Sequence, residues 1–140
     1  MGVRVRLRIC SRSRCLETSA LVNSSFESSD PEIVVPPSLA DALGPEVSNE
    51  IAAYTVAGGG SVSAFRARDS VVVELVLNDR ENVRAFARVS IVPGENEVLI
   101  SDRLAHELGI AIIDPFEGLW CLRDELGKKV RPSVSPELWE

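Results

Sequence analysis

A chain of 140 residues with 45% hydrophobic and 26% charged side chains has the composition of one folded globular domain, which excludes a disordered chain. Its formal net charge of −6 at pH 7 argues against a nucleic-acid partner, since proteins that bind phosphate backbones concentrate lysine and arginine. The apolar runs are shorter than a membrane span, so the sequence predicts a cytoplasmic protein without membrane contact.

The cysteines bear on the redox state of the chain. Cys10 and Cys15 flank a short turn and stand opposite each other if the flanking strands form a hairpin, whereas Cys121 is left over. An odd number of cysteines in a cytoplasmic chain favours free thiols over a bridge between Cys10 and Cys15. No group of cysteines and histidines has the spacing of metal ligands, so we expect neither a metal nor a cofactor.

The chain begins with a predicted β-hairpin. Apolar residues alternate with arginines from Val3 to Ile9, which is the period of a half-buried strand. The arginines therefore fit a solvated strand face better than a nucleic-acid-binding patch. Residues 16–22 return as the partner strand and bring the chain to Asn23, which begins a polar corner.

A second strand and a helix follow this corner. The polar segment 24–31 ends in Asp-Pro, which is typical of a loop. The apolar run 33–35 predicts a short strand, and the two prolines after it suit the first turn of a helix. Leu39 and Leu43 fall four residues apart on one helical face, and Gly44 predicts the helix end.

Residues 50–68 predict a long hairpin whose tip is formed by Gly58, Gly59 and Gly60. A glycine run can also bind phosphate, but such a loop needs a helix directly after it. Residues 61–65 alternate like a strand, which disfavours the phosphate interpretation. Two further strands are predicted over 71–77 and 83–92, on either side of a polar turn.

The segment 97–109 repeats the earlier segment 32–44. Both predict a strand, a corner, a helix and a glycine stop. Two copies of this length predict a protomer with internal pseudo-two-fold symmetry rather than a solenoid, which needs more repeats. Aligned without gaps, the copies are identical at Glu32/Glu97, Leu39/Leu104, Ala40/Ala105, Leu43/Leu108 and Gly44/Gly109.

The C-terminal part reads as a strand over 110–113, a turn and a strand over 119–122, in which Trp120 is expected in the core or an interface. The domain is therefore predicted to cover residues 1–125. The remaining tail, 126–140, has no hydrophobic period and is a candidate for a dimer or partner contact. Its Trp139 is the better aromatic candidate for docking onto a partner.

The order of these motifs resembles that of the retropepsin-like aspartic proteases. The matching motifs are A-L-V before a three-residue corner, V-V-P before a helix ending in L-G, a glycine-tipped hairpin, and V-L-I before a helix ending in L-G-I. The resemblance covers roughly residues 3–122. It implies a mainly β, retropepsin-like closed barrel with one or two short helices, and a homodimer in which each protomer supplies one corner to a shared cleft.

Within this resemblance, Asn23, Ser24 and Ser25 occupy the place of the D-T-G triplet, and the three glycines occupy the tip of the flap over the cleft. Proteolysis by this family needs two carboxylates that share one proton, and a pair of carboxamides cannot accept it. Ser25 also replaces a glycine, and Ser101 begins a segment that replaces the usual G-R pattern. These departures predict a scaffold without protease chemistry.

The leading hypothesis is a non-catalytic homodimer that binds an extended peptide or a small ligand with Asn23, Ser24, Ser25, Gly58, Gly59 and Gly60. One alternative is an active peptide hydrolase that uses Asp30 or Glu27 from both protomers, and another is a purely structural subunit. Serine chemistry is disfavoured because the single histidine, His106, lies off the apolar stripe of its helix on a solvated face. The favoured role of Asn23 is a buried amide that ties the corner together.

Overall fold

The computed structural model describes residues 2–48, 50–55, 63–67 and 69–140. The predicted flap tip, Gly58, Gly59 and Gly60, lies outside these ranges. The strands are β1 (Arg4–Cys10), β2 (Cys15–Val22), β3 (Glu32–Val35), β4 (Glu50–Thr55), β5 (Ser63–Ala67), β6 (Val71–Leu75), β7 (Val83–Ile91), β8 (Val98–Ile100), β9 (Ile110–Asp114) and β10 (Leu119–Leu122). The helices are α1 (Pro37–Leu43), α2 (Pro45–Ser48) and α3 (Asp102–Glu107), followed by a 3-10 helix over Arg123–Glu125.

Six of these strands close into a barrel, in the order β3-β8-β2-β1-β6-β7, with β7 pairing in turn with β3. The length of β7 makes closure possible, because residues 83–87 pair with β6 whereas residues 88–91 run parallel to β3. β4 and β5 form a hairpin attached to β7, and β9 and β10 form a separate two-stranded sheet. The predicted mainly β fold with a closed barrel and short helices is confirmed.

The barrel interior follows from the alternation seen in the sequence. In β1, Val5, Leu7 and Ile9 are at most 1% exposed, while the arginines between them lie on the outer face. The leucines of α1 and α3 pack into the same hydrophobic cluster, as the helical spacing predicts. Burial of each such side chain is worth roughly 1.5–3 kcal/mol, so strands and helices stabilise one another.

Both copies of the repeated segment form a strand and a helix, β3 with α1 and β8 with α3. β3 and β8 are antiparallel neighbours, with Ile33 opposite Ile100 and Val34 opposite Leu99. On its other side, β8 runs parallel to β2, and β3 runs parallel to β7. Each copy therefore lies between its counterpart and one parallel strand.

A disulfide joins Cys10 and Cys15, so the expectation of free thiols at these positions is wrong. The two residues are direct partners in the β1–β2 register, and their Cα atoms lie 4.0 Å apart. The tight turn between them brings the two thiols together whatever the total number of cysteines. Cys121 is a free, buried cysteine, and burial raises the pKa of its thiol.

Thiol counting tests this assignment. We expect iodoacetamide to add one group to the chain in denaturant without reductant, because only Cys121 is then free, and three groups after reduction. The folded chain should react slowly, since a buried thiol with a raised pKa forms little thiolate. Intact-mass measurement gives the number of adducts, and three adducts before reduction would show that the bridge is absent.

The tail after residue 125 packs along its own domain. Arg131 and Trp120 exchange backbone hydrogen bonds of 2.7 and 3.0 Å, and the Val134 amide donates to the Arg4 carbonyl at 3.0 Å. Trp139 is partly buried against the hydrophobic core, and Trp120, 5% exposed, belongs to that core. A contact between the tail and a partner stays a prediction.

A cluster of charges fixes the start of this tail. The Arg131 guanidinium donates to the Glu125 carboxylate at 2.9 and 2.7 Å and to both oxygens of Asp79 at 3.0 and 3.1 Å. Arg80 donates at 3.2 Å to Oε2 of Glu125, which also accepts from Arg131. The hydrogen bond from Arg131 is the main reason why the pKa of Glu125 falls to about 2.

None of the helices in the described ranges is long and apolar enough to cross a membrane.

Candidate functional site

The polar corner at Asn23 lies where β2 ends beside the end of β8. The Asn23 amide donates to the Ile100 carbonyl at 3.2 Å, and the Asn23 carbonyl accepts from the Phe26 amide at 3.0 Å. These two bonds anchor the first residue of the corner to the barrel and turn the chain back at once. The end of a paired strand thus holds Asn23 in a fixed position.

The side chain of Asn23 closes the corner on itself. Its Oδ1 accepts from the Ser25 amide at 3.2 Å and from the Ser25 hydroxyl at 2.7 Å, which is an Asx-turn. The predicted role of tying the corner is confirmed, but Asn23 is half-buried rather than buried, and Ser24 and Ser25 are exposed. The Nδ2 group forms no hydrogen bond within the described part of the chain, so it remains a donor for a ligand.

Ser101 supports the corner from the other copy of the repeat. Its hydroxyl is fully buried and accepts the amides of Leu104 and Glu32, each at 3.1 Å. Ser101 is thus the N-cap of α3, and it also accepts the backbone amide of Glu32, the first residue of β3. The resemblance to the retropepsin-like proteases identifies Ser101 only as a residue that replaces a glycine. A serine directly before a helical pattern is the signal that identifies this role.

The loop after the corner is tied to the start of α3. The Asp102 amide donates to the Phe26 carbonyl at 3.0 Å, and an oxygen of the Asp102 carboxylate accepts from the Ser28 amide at 3.2 Å. These contacts hold the segment 24–28 beside the helix. The corner is therefore fixed at both of its ends.

Glu32, at the start of β3, is a buried carboxylate that the sequence pattern does not reveal. It is 7% exposed, accepts from the Ser90 hydroxyl at 2.9 Å and pairs with Arg66 of β5 at 3.6 Å. Its counterpart Glu97 is held in the same way by Arg4 of β1, at 2.5 Å. The same residue type at the same position of both copies therefore forms an ion pair with an arginine from another strand.

The alternative catalytic groups are Asp30 and Glu27. Asp30 pairs with Arg88 at 2.9 Å on the surface, and Glu27 is exposed. In the described ranges, no carboxylate is hydrogen-bonded to Asn23. His106 is exposed, as predicted, and its carbonyl accepts from Arg123 at 2.8 Å. The described part of a single protomer thus places no acid–base pair at the corner.

A groove of about 390 Å³ lies between the corner and the β9–β10 sheet. Its walls are apolar, and two of the contributing side chains, Ile112 and Leu126, are 39% and 57% exposed. Its polar rim is formed by Ser24, Asp102, His106 and Arg123. Although Ser24 and His106 share this rim, they form no hydrogen bond with each other within the described residues.

No protein-family model matches this chain, and no curated protein matches its sequence at a significant level.

Proposed function

We propose that this chain is a non-catalytic relative of the retropepsin-like aspartic proteases, with internal pseudo-two-fold symmetry, which forms a homodimer and binds an extended peptide at the Asn23 corner. The closed barrel and the mutual pairing of the two strand–helix copies support the family assignment. Val34 and Leu99 occupy the same position of the two copies and pair with each other, as a two-fold axis through that pair requires.

One observation carries the binding function. Because Ser25 occupies Oδ1 of Asn23, the side chain presents its Nδ2 group as a donor and has no proton-accepting carboxylate. A donor fixed at the end of a strand suits the carbonyl of an extended peptide, whose main-chain hydrogen bonds supply affinity without a chemical step. In a two-fold dimer the cleft would contain two such donors.

The exposed apolar residues near the corner support the homodimer. Within the described ranges β9 pairs with a strand on one side alone, β10, and thus leaves an edge. Ile112 and Ile113 on this edge, Phe116 in the following turn and Leu126 at the groove are all exposed. An apolar edge strand is a frequent site of self-association. Pairing of this edge with the same edge of a second protomer would bring together the two groove rims that contain Ser24.

Replacing Asn23 tests the proposed function. Peptides selected from an extended-peptide library on the immobilised chain should bind the unmodified protein without being cleaved. Asn23→Ala should weaken this binding at least tenfold, because about 1.4 kcal/mol is lost for each of the two donors that the peptide uses. Asn23→Asp should weaken it at least as much, since it replaces a donor with an acceptor.

The control is Asn78→Ala, which changes an exposed asparagine in the turn between β6 and β7 and should leave affinity unchanged. Fluorescence anisotropy gives the affinity, and sedimentation velocity gives the oligomeric state. Turnover of peptide by the unmodified chain, a monomer at micromolar concentration, or equal affinity of the Asn23→Ala variant would each contradict the proposal.

A further inference from the structure

The edge of β2 away from the corner is covered by the chain's own tail. Residues 20–22 of β2 pair with β8 on this side, whereas Ser19 lies beyond the first pair and meets the tail instead. The Ser19 amide donates to the Glu137 carboxylate at 2.8 Å, and the Glu137 amide donates to the Ser19 hydroxyl at 2.7 Å. The tail thus forms two reciprocal hydrogen bonds with Ser19 on the edge of β2 that β8 leaves unpaired.

Two side chains of the tail make most of this contact. Arg6 donates to both oxygens of Glu137, at 3.1 and 3.0 Å. The indole of Trp139 donates to the Thr18 hydroxyl at 2.9 Å, and its backbone amide donates to the Asn96 carbonyl at 2.7 Å. Leu138, between the two anchors, is 59% exposed. Recognition is therefore concentrated in a carboxylate and an indole two residues apart.

The receiving surface is polar, and its two hydroxyl-bearing residues are buried when the tail is in place. Thr18 and Ser19 are both 0% exposed, and each uses its hydroxyl to bind the tail. Pro132 and Pro136 restrict the backbone of the tail to extended conformations, which lowers the entropic cost of placing it on a strand edge. These are the properties of a binding site for a short extended motif.

We infer that Arg6, Thr18, Ser19 and Asn96 form a second peptide-binding site, specific for an extended segment with a carboxylate two residues before an indole. The chain's own Glu137–Trp139 segment occupies this site in cis and competes with partner segments of the same chemistry. The site is separate from the Asn23 corner and does not depend on its proposed function.

The test uses a fluorescein-labelled peptide with the sequence of residues 132–140 and the full-length chain. Trp139→Ala in the chain should release its tail, so that this variant binds the peptide at least tenfold more tightly than the unmodified chain does. The reason is that the intact tail competes at a millimolar effective concentration. In the peptide, Trp139→Ala or Glu137→Gln should each abolish most of the binding, and Leu138→Ala should not.

A second variant protects the test against loss of folding. Glu137→Gln in the chain keeps the indole and weakens the tail at its other anchor, so it should also bind the peptide more tightly than the unmodified chain. The inference is overturned if neither variant chain binds the peptide, whether folded or not, because the tail is then a fixed part of the domain. Equal binding of peptides with and without the indole overturns it as well.

Discussion

Replacing Arg131 with methionine should lower the free energy of unfolding by about 3 kcal/mol at neutral pH, because it leaves a largely buried carboxylate without its main partner. The side chains of Arg131 and Glu125 are 11% and 10% exposed, and two hydrogen bonds join them. Methionine keeps much of the apolar stem of Arg131 and removes the guanidinium, whose carbon lies 5.7 Å from the centre of the Trp120 ring. The loss therefore reports the charge pair and not the packing alone.

The pH dependence of this loss identifies its cause. Glu125 has a pKa of about 2 in the folded chain and an ordinary value of 4.5. A lowered pKa contributes stability that is present above the ordinary value and disappears as the pH falls through the folded value. The difference between the unmodified chain and Arg131→Met should therefore be constant above about pH 5 and shrink towards pH 2.

Urea unfolding at several pH values measures both effects. Arg103→Met is the matched control, because Arg103 forms an exposed pair with Glu107 that is worth about 0.3–0.5 kcal/mol. A difference that stays the same from pH 7 to pH 2 would assign the loss to the removed side-chain contacts instead.

Ser101→Ala is the second substitution with a large expected effect, again about 3 kcal/mol. It removes the common acceptor of two backbone amides, those of Leu104 and Glu32, and an unsatisfied buried amide costs about 1–3 kcal/mol. Ser101→Gly removes the same acceptor and should also be destabilising, although glycine is tolerated better than alanine at an N-cap. Neither replacement supplies the hydroxyl oxygen that accepts the two amides.

Ser38→Ala is the control for Ser101. The Ser38 hydroxyl in α1 is buried and has no hydrogen-bond partner among the described residues, so its removal should leave the stability unchanged or slightly raised. Thermal and urea unfolding of the three variants give the comparison. If Ser101→Ala and Ser38→Ala proved equally stable, the capping role of Ser101 would be refuted.

Local patterns were sufficient to predict the strands and the helices α1 and α3, but not α2 or the 3-10 helix over Arg123–Glu125. The alternation of β1 and the spacing of Leu104 and Leu108 in the second copy are properties of short segments, and burial in the folded chain follows them. The closing pair of β3 and β7 joins residues 32–35 with 88–91 and leaves no local signal. The same applies to the contacts of the tail, since Trp139 meets Thr18 and Asn96 only after folding.

The candidate site was predictable in position but not in chemistry. A strand that ends in Asn23 and two serines predicts a corner. The Asx-turn, in which Ser25 occupies Oδ1 of Asn23 and leaves Nδ2 as the available donor, depends on the folded backbone and could not be predicted. Glu32 could not be predicted as buried, because a charged residue at the start of a strand is ordinarily exposed. Its partners Ser90 and Arg66 come from strands far along the chain.

The attachment of the β4–β5 hairpin has a mechanical consequence. The hairpin joins the barrel sheet through Phe65 opposite Ile91 and Arg66 opposite Ser90. Arg66 and Ser90 both contact the carboxylate of Glu32. Separation of the hairpin from β7 would therefore break the ion pair of Arg66 with Glu32 as well as the backbone pairs of β5 with β7, whereas the bond between Ser90 and Glu32 lies within the barrel. A buried carboxylate of the barrel thus adds a side-chain contact to the backbone pairs that hold the hairpin.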